Sequence, residues 1–521
     1  MSRKFSEHAL ANGKRSLWPV AALILGTFGG CAVTPSPLTD ADRQVRIRED
    51  MAALFTNVQP VSGPLTLYNA MARALKYNYD AKLKLMEEAF ANAQLDLSYY
   101  NLLPKLTTSA GYSSRNTDSL ATSVTLLNGQ LTPVTPAIYS GALPRSHSTA
   151  NAVFAWNILD FGVSYVRAQQ QAEQTLVANE RKRKVVQNIM RDVRQAYWRA
   201  YGAQKILPHL DALLVRVRDA LERSRNIENR HLMSPMDALS YQRGLIDLYL
   251  LIIQYRQDLV LAKTQLAALI GAKPGTEFTL AGDEEMKNVP STHLLDNIDA
   301  LDQTALEYRP ELREEDYKKK ISVLEARKAL LSLLPGIEVY MSANHDSNQY
   351  LYQNNWTEAG ASVSFNLFRA FSYPAMKREQ KAQEKLDDTR RIALSMAVLV
   401  QVRIAAQRYR ESVENYQISC EGADVDAQIE KHVADNLQAN AGSDMALLRA
   451  QVRAALSDMQ RYASYADLQT SYARIANSIG LDMLPKSPDM QDLKVLSGQL
   501  EQVDESWQKN GFSELAEDGK S

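Results

Sequence analysis

The residues that most often do chemistry are sparse in this chain and poorly spaced for it. Among seven histidines, His147, His209, His231, His345 and His432 lie too far apart for a metal-ligand set. No glycine loop of the phosphate-cradling form and no Gly-x-Ser-x-Gly elbow occurs. No metal, cofactor or catalytic residue is therefore expected. The two cysteines, Cys31 and Cys420, cannot build a disulfide framework. Around Cys420, Gln417-Ile-Ser-Cys-Glu421 holds nothing that would activate a thiol, and this side chain reads as a small, at least half-buried one. A net charge of −1 lacks the basic footprint that nucleic acid requires.

Cys31 stands in a different setting. Arg3, Lys4, Lys14 and Arg15 precede an apolar run, Leu17 to Phe28, which leads into Gly29-Gly30-Cys31. A positive region, a short apolar region and small residues at a cut are the layout of a secretory signal. The run is too short to remain as a spanning helix. Small-small-Cys resembles a bacterial lipoprotein box, with Phe28 where leucine is usual. Ala32 next to it, and not Asp, resembles lipoproteins sent on to the outer membrane. The expectation is a signal peptide over 1–30, lipidation (a palmitate-bearing anchor) at Cys31, and a lipid-anchored leader over 31–63. Ordinary cleavage with Cys31 incidental is the alternative. The leader is expected to be extended, with one short helix around Asp40–Phe55.

The elements that position everything else come in two copies. Trp156-Asn-Ile-Leu-Asp-Phe-Gly162 returns as Phe365-Asn-Leu-Phe-Arg-Ala-Phe371, at 365 − 156 = 209. The same offset relates Val193-Arg194 to Val402-Arg403 and Gly271 to Gly480. Such a long-period duplication is decisive for architecture. The first structural repeat spans 64–290, the second 291–483, and 484–521 reads as a polar, irregular tail.

Each repeat has the same order. Apolar residues recurring at three and four predict a helix from Leu65 to Leu103, stopped by Pro104. Leu106, Thr108, Ala110 and Tyr112 then alternate with small polar residues, the period of a strand. Residues 114–147 read as a long exposed loop. A strand follows through Trp156, then a helix from Phe161 to about Leu232, bent at Pro208. Ser234, Pro235 and Asp237 suggest a capped return helix ending at Ile270. Within it, Leu245 to Ile253 is apolar nearly all round and must be packed on several sides. The second repeat predicts a helix from Leu294 to Leu334, stopped by Pro335, and a strand through Ile337, Val339, Met341 and Ala343. A shorter loop follows, then a return strand from Glu358 to Leu367. Last come a helix from Pro374 to Gln438, a turn at 439–444 and a helix from Met445 to Ile479.

Four strands, each with one apolar and one small polar face, suit a membrane barrel with lipid outside and a lumen inside. Trp156, Trp356 and Tyr112 then suit its interfacial girdles. Four strands cannot close a barrel, so copies must combine, and a trimer supplies twelve. Two soluble hairpins capping a helical bundle is the bland alternative. The long helices likewise need neighbours for their apolar seams, as in a coiled-coil cylinder.

In this order and duplication the chain resembles the TolC family of outer-membrane efflux channels, and more closely its OprM-like lipoprotein branch. The resemblance rests on Leu65-Thr-Leu with Ala74, Leu75 and Asn78, on Leu102-Leu-Pro104, on Trp156 to Gly162, and on Tyr308-Arg-Pro-Glu-Leu312. Phe365-Asn-Leu-Phe368 and the tip sequences Met236 to Gln242 and Ala446 to Gln451 add to it. It implies a mostly α fold with a small β part: a long α-helical coiled-coil barrel, plus four strands per protomer in a trimeric 12-stranded transmembrane β-barrel. The chain ends would lie at an equatorial belt. It also implies a homotrimer in the outer membrane that docks on a periplasmic membrane-fusion adaptor and an inner-membrane transporter, which supplies the energy. The periplasmic gate of such proteins uses aspartates at the helix tips. The matching positions here are Ala446 and Arg449, so Asp237 and Asp444 are the substitute candidates, with Arg449 a possible latch partner. Helix capping is the plain reading of both aspartates. A type I secretion duct, or an anchored scaffold with no pore, remain as other readings.

Overall fold

The computed structural model describes residues 36–518 apart from 57, 123, 137, 231–233, 283–294, 296, 440 and 486–487. The expected signal segment, lipidation at Cys31, His231 and the repeat boundary at 290/291 lie outside the described residues. Residues up to 57 form one unit and residues from 58 onward another. The first unit contains helix α1 (Asp40–Phe55), started by a capping box in which Thr39 and Asp42 exchange hydrogen bonds.

In chain order the second unit begins with α2 (Leu67–Tyr77), α3 (Tyr79–Tyr100), β1 (Lys105–Ser114), β2 (Ser119–Thr122), β3 (Val124–Leu127), β4 (Gln130–Pro133), β5 (Tyr139–Leu143), β6 (Ser146–Asn157), α4 (Ile158–Asn229) and α5 (Pro235–Leu269). It continues with α6 (Ile298–Tyr308), α7 (Pro310–Leu331), β7 (Gly336–Asp346), β8 (Asn355–Ser364), α8 (Leu367–Ala370), α9 (Tyr373–Gln438), α10 (Asp444–Ile479) and α11 (Leu493–Asp518).

The duplication is carried to single residues. The helix pair α2–α3 reappears as α6–α7 with unchanged lengths, since 298 − 67 = 231 and 331 − 100 = 231. Asn157, at the end of β6, and Asn366, two residues past the end of β8, each cap the next helix, the side-chain oxygen accepting from two backbone N–H groups. The single helices expected over 65–103 and 294–334 are each broken, at Asn78 and Arg309. Asn78 is extended at ψ 130, and its Oδ1 accepts from Asp80 N at 2.8 Å and Ala81 N at 3.3 Å. Arg309 is extended at ψ 123 because Pro310 follows it. Apolar spacing passes over both breaks without registering them.

The central sheet has the order β1-β6-β7-β8, with every neighbouring pair antiparallel. The long connector between β1 and β6 is not irregular. It forms two further ladders, β2 with β5 and β3 with β4. Asn128 (φ 50) and Gly129 (φ 80) make the tight turn of the second ladder, a pairing whose left-handed geometry suits a two-residue hairpin. The second return strand stops at Ser364, short of Leu367, because Asn366 caps α8 there.

The helix α4 runs on through Pro208. Ser234 occupies the N-cap of α5 with Pro235 first in the helix, but its hydroxyl makes no capping bond. The expected capping box at Asp237 is therefore absent. The tail is corrected too. It is the helix α11, with Leu493, Leu496, Leu500, Trp507 and Phe512 buried. Leu493, Leu496, Leu500 and Trp507 recur at helical spacing and dock one face into the main core, and Phe512 joins it beyond a break in the helix at Gly511 (φ 73). That core gathers around Trp198, which meets Tyr197, Tyr201 and Tyr465 edge-on at 5.3, 5.6 and 4.7 Å. A second core, built on Leu210, Val217, Leu245, Ile252 and Leu448, joins α4, α5 and α10 further along. Leu245 and Ile252 are buried there while Leu250 is exposed, so the apolar stretch of α5 is only partly covered in one protomer.

Candidate functional site

The register of the sheet sorts its side chains into two faces. Leu106 opposes Phe154, Phe154 opposes Met341, and Met341 opposes Ala359. Opposed residues share a face, so these join Trp156, Val339, Ala361 and Val363 on one apolar side. Ser109 opposes Asn151, Asn151 opposes Asn344, and Ser342 opposes Glu358. That second face is small and polar, knitted by bonds such as Ser109 Oγ to Asn151 Oδ1 at 2.7 Å. The apolar face is largely exposed in one protomer: Leu106, Phe154, Met341 and Val363 are all exposed, and among the described residues helix contact is confined to its end, where Phe161 meets Trp156 edge-on at 5.9 Å.

Trp156 and Tyr112 lie on the apolar face at opposite ends of the sheet. Trp156 opposes Val339 near the helices, and Tyr112 opposes Ser148 near the far loops. Trp356 opposes Asn344, which places it on the polar face. A lipid-facing girdle cannot include it. The correction follows from strand parity, since Trp356 and Glu358 are two residues apart and must point the same way.

Both outer strands, β1 and β8, have one free edge. Beneath them the helices keep the same order. The α4 helix packs on α3 and α7, and α7 packs on α9. The flanking helices α3 and α9 carry uncovered apolar stripes: Leu83, Met86 and Phe90 on the first, Ile392, Met396 and Val400 on the second. Strands and helices thus leave matching unfinished edges on both sides of the protomer.

At the far end of the helices, the start of α10 is capped by Ser443, whose Oγ accepts from Ala446 N at 3.1 Å. Asp444 is therefore free of capping duty. It stands 3.8 Å from Arg216 Nη2 and 3.8 Å from Arg223 Nη2, both on α4. Arg216 also donates to Gln451. Burial pushes the nearby Tyr241 phenol up, and the Asp444 carboxylate adds to it. Arg449 makes no ion pair among the described residues, and its guanidinium lies against Gly244 of α5. Asp237 is exposed in the first turn of α5 and also makes no ion pair among the described residues. Of the three tip candidates, the structure joins only Asp444 to partners. Those partners were missed in the sequence, although Arg216 and Arg223 are seven apart and share a helix face.

Asp444 links one hairpin of the protomer to the other. Exposed pairs of this kind contribute about 0–1 kcal/mol, so Asp444→Ala is expected to leave the unfolding midpoint nearly unchanged. On the efflux-channel expectation, the same variant raises single-channel conductance, because the tip loses one of its ties between the hairpins. Equal conductance of variant and parent in planar bilayers would remove Asp444 from any gate.

Solved structures with this arrangement exist. The CmeC outer-membrane channel of Campylobacter jejuni matches with a TM-score of 0.59 at 13% identity, covering 85% of this chain and 90% of that one. The MtrE outer-membrane channel of Neisseria gonorrhoeae, in its open state, gives 0.59 at 15% identity, with 82% and 94% covered. The chain has the outer-membrane-channel fold. The VceC outer-membrane protein of Vibrio cholerae agrees at 0.55 and 12% identity, with 80% and 96% covered. No protein-family model matches the sequence, and no curated protein does. Within the outer-membrane-channel fold, the mostly helical protomer with its small four-stranded sheet is as the sequence implies.

Proposed function

We propose that three copies of this chain close a twelve-stranded barrel in the outer membrane, above a tube of paired helices, and act as the exit duct of a tripartite efflux system. The observation that carries this reading is the sheet. It has a largely exposed apolar face, a polar face, and two free edges in a single protomer. A free edge and an uncovered apolar face are each costly in water. Joining β1 of one copy to β8 of the next removes the edges, and lipid against the apolar face removes the second cost. The stripes on α3 and α9 meet in the same step. The polar face then lines a passage for small solutes. Cys31 anchors the leader to the membrane, and an inner-membrane transporter drives the flow through a periplasmic adaptor.

The test is the mass of the purified protein in detergent, together with its conductance in planar bilayers. Discrete conductance steps from a trimer are expected. A monomer without conductance would sink the duct reading.

A further inference from the structure

Where α4 of the first repeat meets the second repeat, the chain encloses a cavity of about 260 Å³. Its walls are one face of α4 with Lys184 and Arg191, the break between α6 and α7 with Arg309 and Glu311, one face of α9 with Arg408, and the end of α10 with Arg474. Five cationic side chains thus line it with one carboxylate. That carboxylate is already engaged: Glu311 lies 2.7 Å from Arg309 Nε and 3.2 Å from Lys184 Nζ. Arg191 is paired with its neighbour Asp192 at 2.8 Å. Arg408 and Arg474 make no ion pair among the described residues. Burial lowers the pKa of the Arg474 guanidinium, Arg408 and Arg191 lower it further, and Asp467 and Asp192 only partly oppose them. Like charges gathered in a partly buried space repel one another, and an anion among them relieves the cost. The matching joint of the other repeat is built without this cluster. By the offsets of 231 and 209, Arg309 corresponds to Asn78, Lys184 to Ala393, Arg191 to Val400 and Arg474 to Gln265. Asn78 Nδ2 donates to Leu269 O at 3.3 Å, much as Arg309 Nη1 donates to Asn477 O at 2.8 Å. The fold therefore makes this joint without needing the cations.

We infer that this cavity is a binding site for a small, multiply charged oxyanion of the phosphate type, held chiefly by Arg408 and Arg474. Guanidinium groups present paired N–H donors that match the oxygens of phosphate or sulfate. The volume falls below the roughly 300–1,000 Å³ of sites for drug-sized ligands, and the apolar part of the lining is limited to Ile404 and Ala405. A compact hydrophilic ion suits it, free or carried at the end of a larger solute, and an apolar drug does not. The bound ion ties α4 of the first repeat to α9 and α10 of the second. The site lies within one chain, so it stands apart from the trimer proposed above.

Calorimetric titration of inorganic phosphate into the purified protein in detergent, with sodium chloride holding the ionic strength constant, tests this. One saturable site per chain is expected. Arg408→Gln combined with Arg474→Gln is expected to weaken binding about tenfold. Arg408 is exposed, so its single variant serves if the double variant does not fold. Arg410→Gln removes a charge from an exposed position of α9 outside the cavity and is expected to bind as the parent does. Glycerol 3-phosphate separates the two sources: competition with phosphate shows that the site takes a phosphate group on a larger solute, and exclusion confines it to the free ion. No saturable binding in the parent, or equal affinity in the parent and the Arg408 variants, would overturn the inference. A monomer that binds phosphate would remove the duct and leave this site standing.

Discussion

Arg194→Ala is expected to destabilise the protein by about 3–5 kcal/mol, the cost of stranding a buried charge. Arg194 is 2% exposed and its partner Asp504 is 0% exposed, with Nη2 and Oδ1 2.9 Å apart. Burial alone would lower the pKa of the guanidinium, but Asp504 beside it outweighs that and holds the proton firmly. Arg194 Nε has no hydrogen-bond partner among the described residues, but other polar atoms of the pair are shared among several elements. Tyr68 Oη donates to Asp504 Oδ2 at 2.8 Å, Gln508 Nε2 donates to the same oxygen at 3.2 Å, and Arg194 Nη1 donates to Gln469 Oε1 at 3.0 Å. The pair therefore ties α2, α4, α10 and α11 at one point. Removing only the cation leaves Asp504 charged inside the core. Loss of the helical signal at a markedly lower temperature, with early proteolysis of α11, is the result to look for. Replacing both partners with apolar residues, Arg194→Met with Asp504→Leu, should recover most of the loss, because no charge is then stranded. An Arg194→Ala protein that melts with its parent would refute this account of the buried pair.

Gly480→Ala is expected to cost about 2–4 kcal/mol, combining a left-handed backbone with a clash. Gly480 caps α10 at φ 78, and a Cβ built there would lie 2.6 Å from the carbonyl carbon of Tyr308. That atom is backbone and cannot swing aside. The first repeat contains the same device: Gly271 at φ 70 would put a Cβ 2.5 Å from Tyr77 Cβ. In both repeats the end of the return helix is pressed against the break in the opening helix pair. Gly275, at φ 85 with open space around it, is the control. Its alanine variant bears only the backbone cost, about 1 kcal/mol. Chemical denaturation of the three variants separates the terms. Equal losses at Gly480 and Gly275 would show that the close approach to Tyr308 does not matter.

These two sites show where reading the sequence stops. The offset of 209 marks Gly271 and Gly480 as equivalent, and it also aligns Arg194 with Arg403. Yet Arg403 pairs with Asp299 and Asp302 at an exposed surface, while Arg194 is deeply buried. The difference is Asp504, which comes from a stretch that reads as a polar tail. Its leucines and Trp507 recur at helical spacing, but nothing local says which core they will find. The breaks at Asn78 and Arg309 escaped for a related reason. Apolar spacing reports which face is covered, and a cap is a bond between one side chain and two amides. The connector was misread because short strands lack the length over which alternation can be seen, although Asn128-Gly129 was a usable signal.

By itself, the sequence determined the duplication, the long helices, the alternating strands and their apolar and polar sides. All of these depend on residue spacing along the chain, and periods of two and 3.6 survive without any tertiary contact. Only the tertiary structure decided the strand order, the two free edges, and the partners of Asp444 and Arg194. Those depend on which distant residues meet, and strand register and helix packing settle that through burial summed over the whole fold.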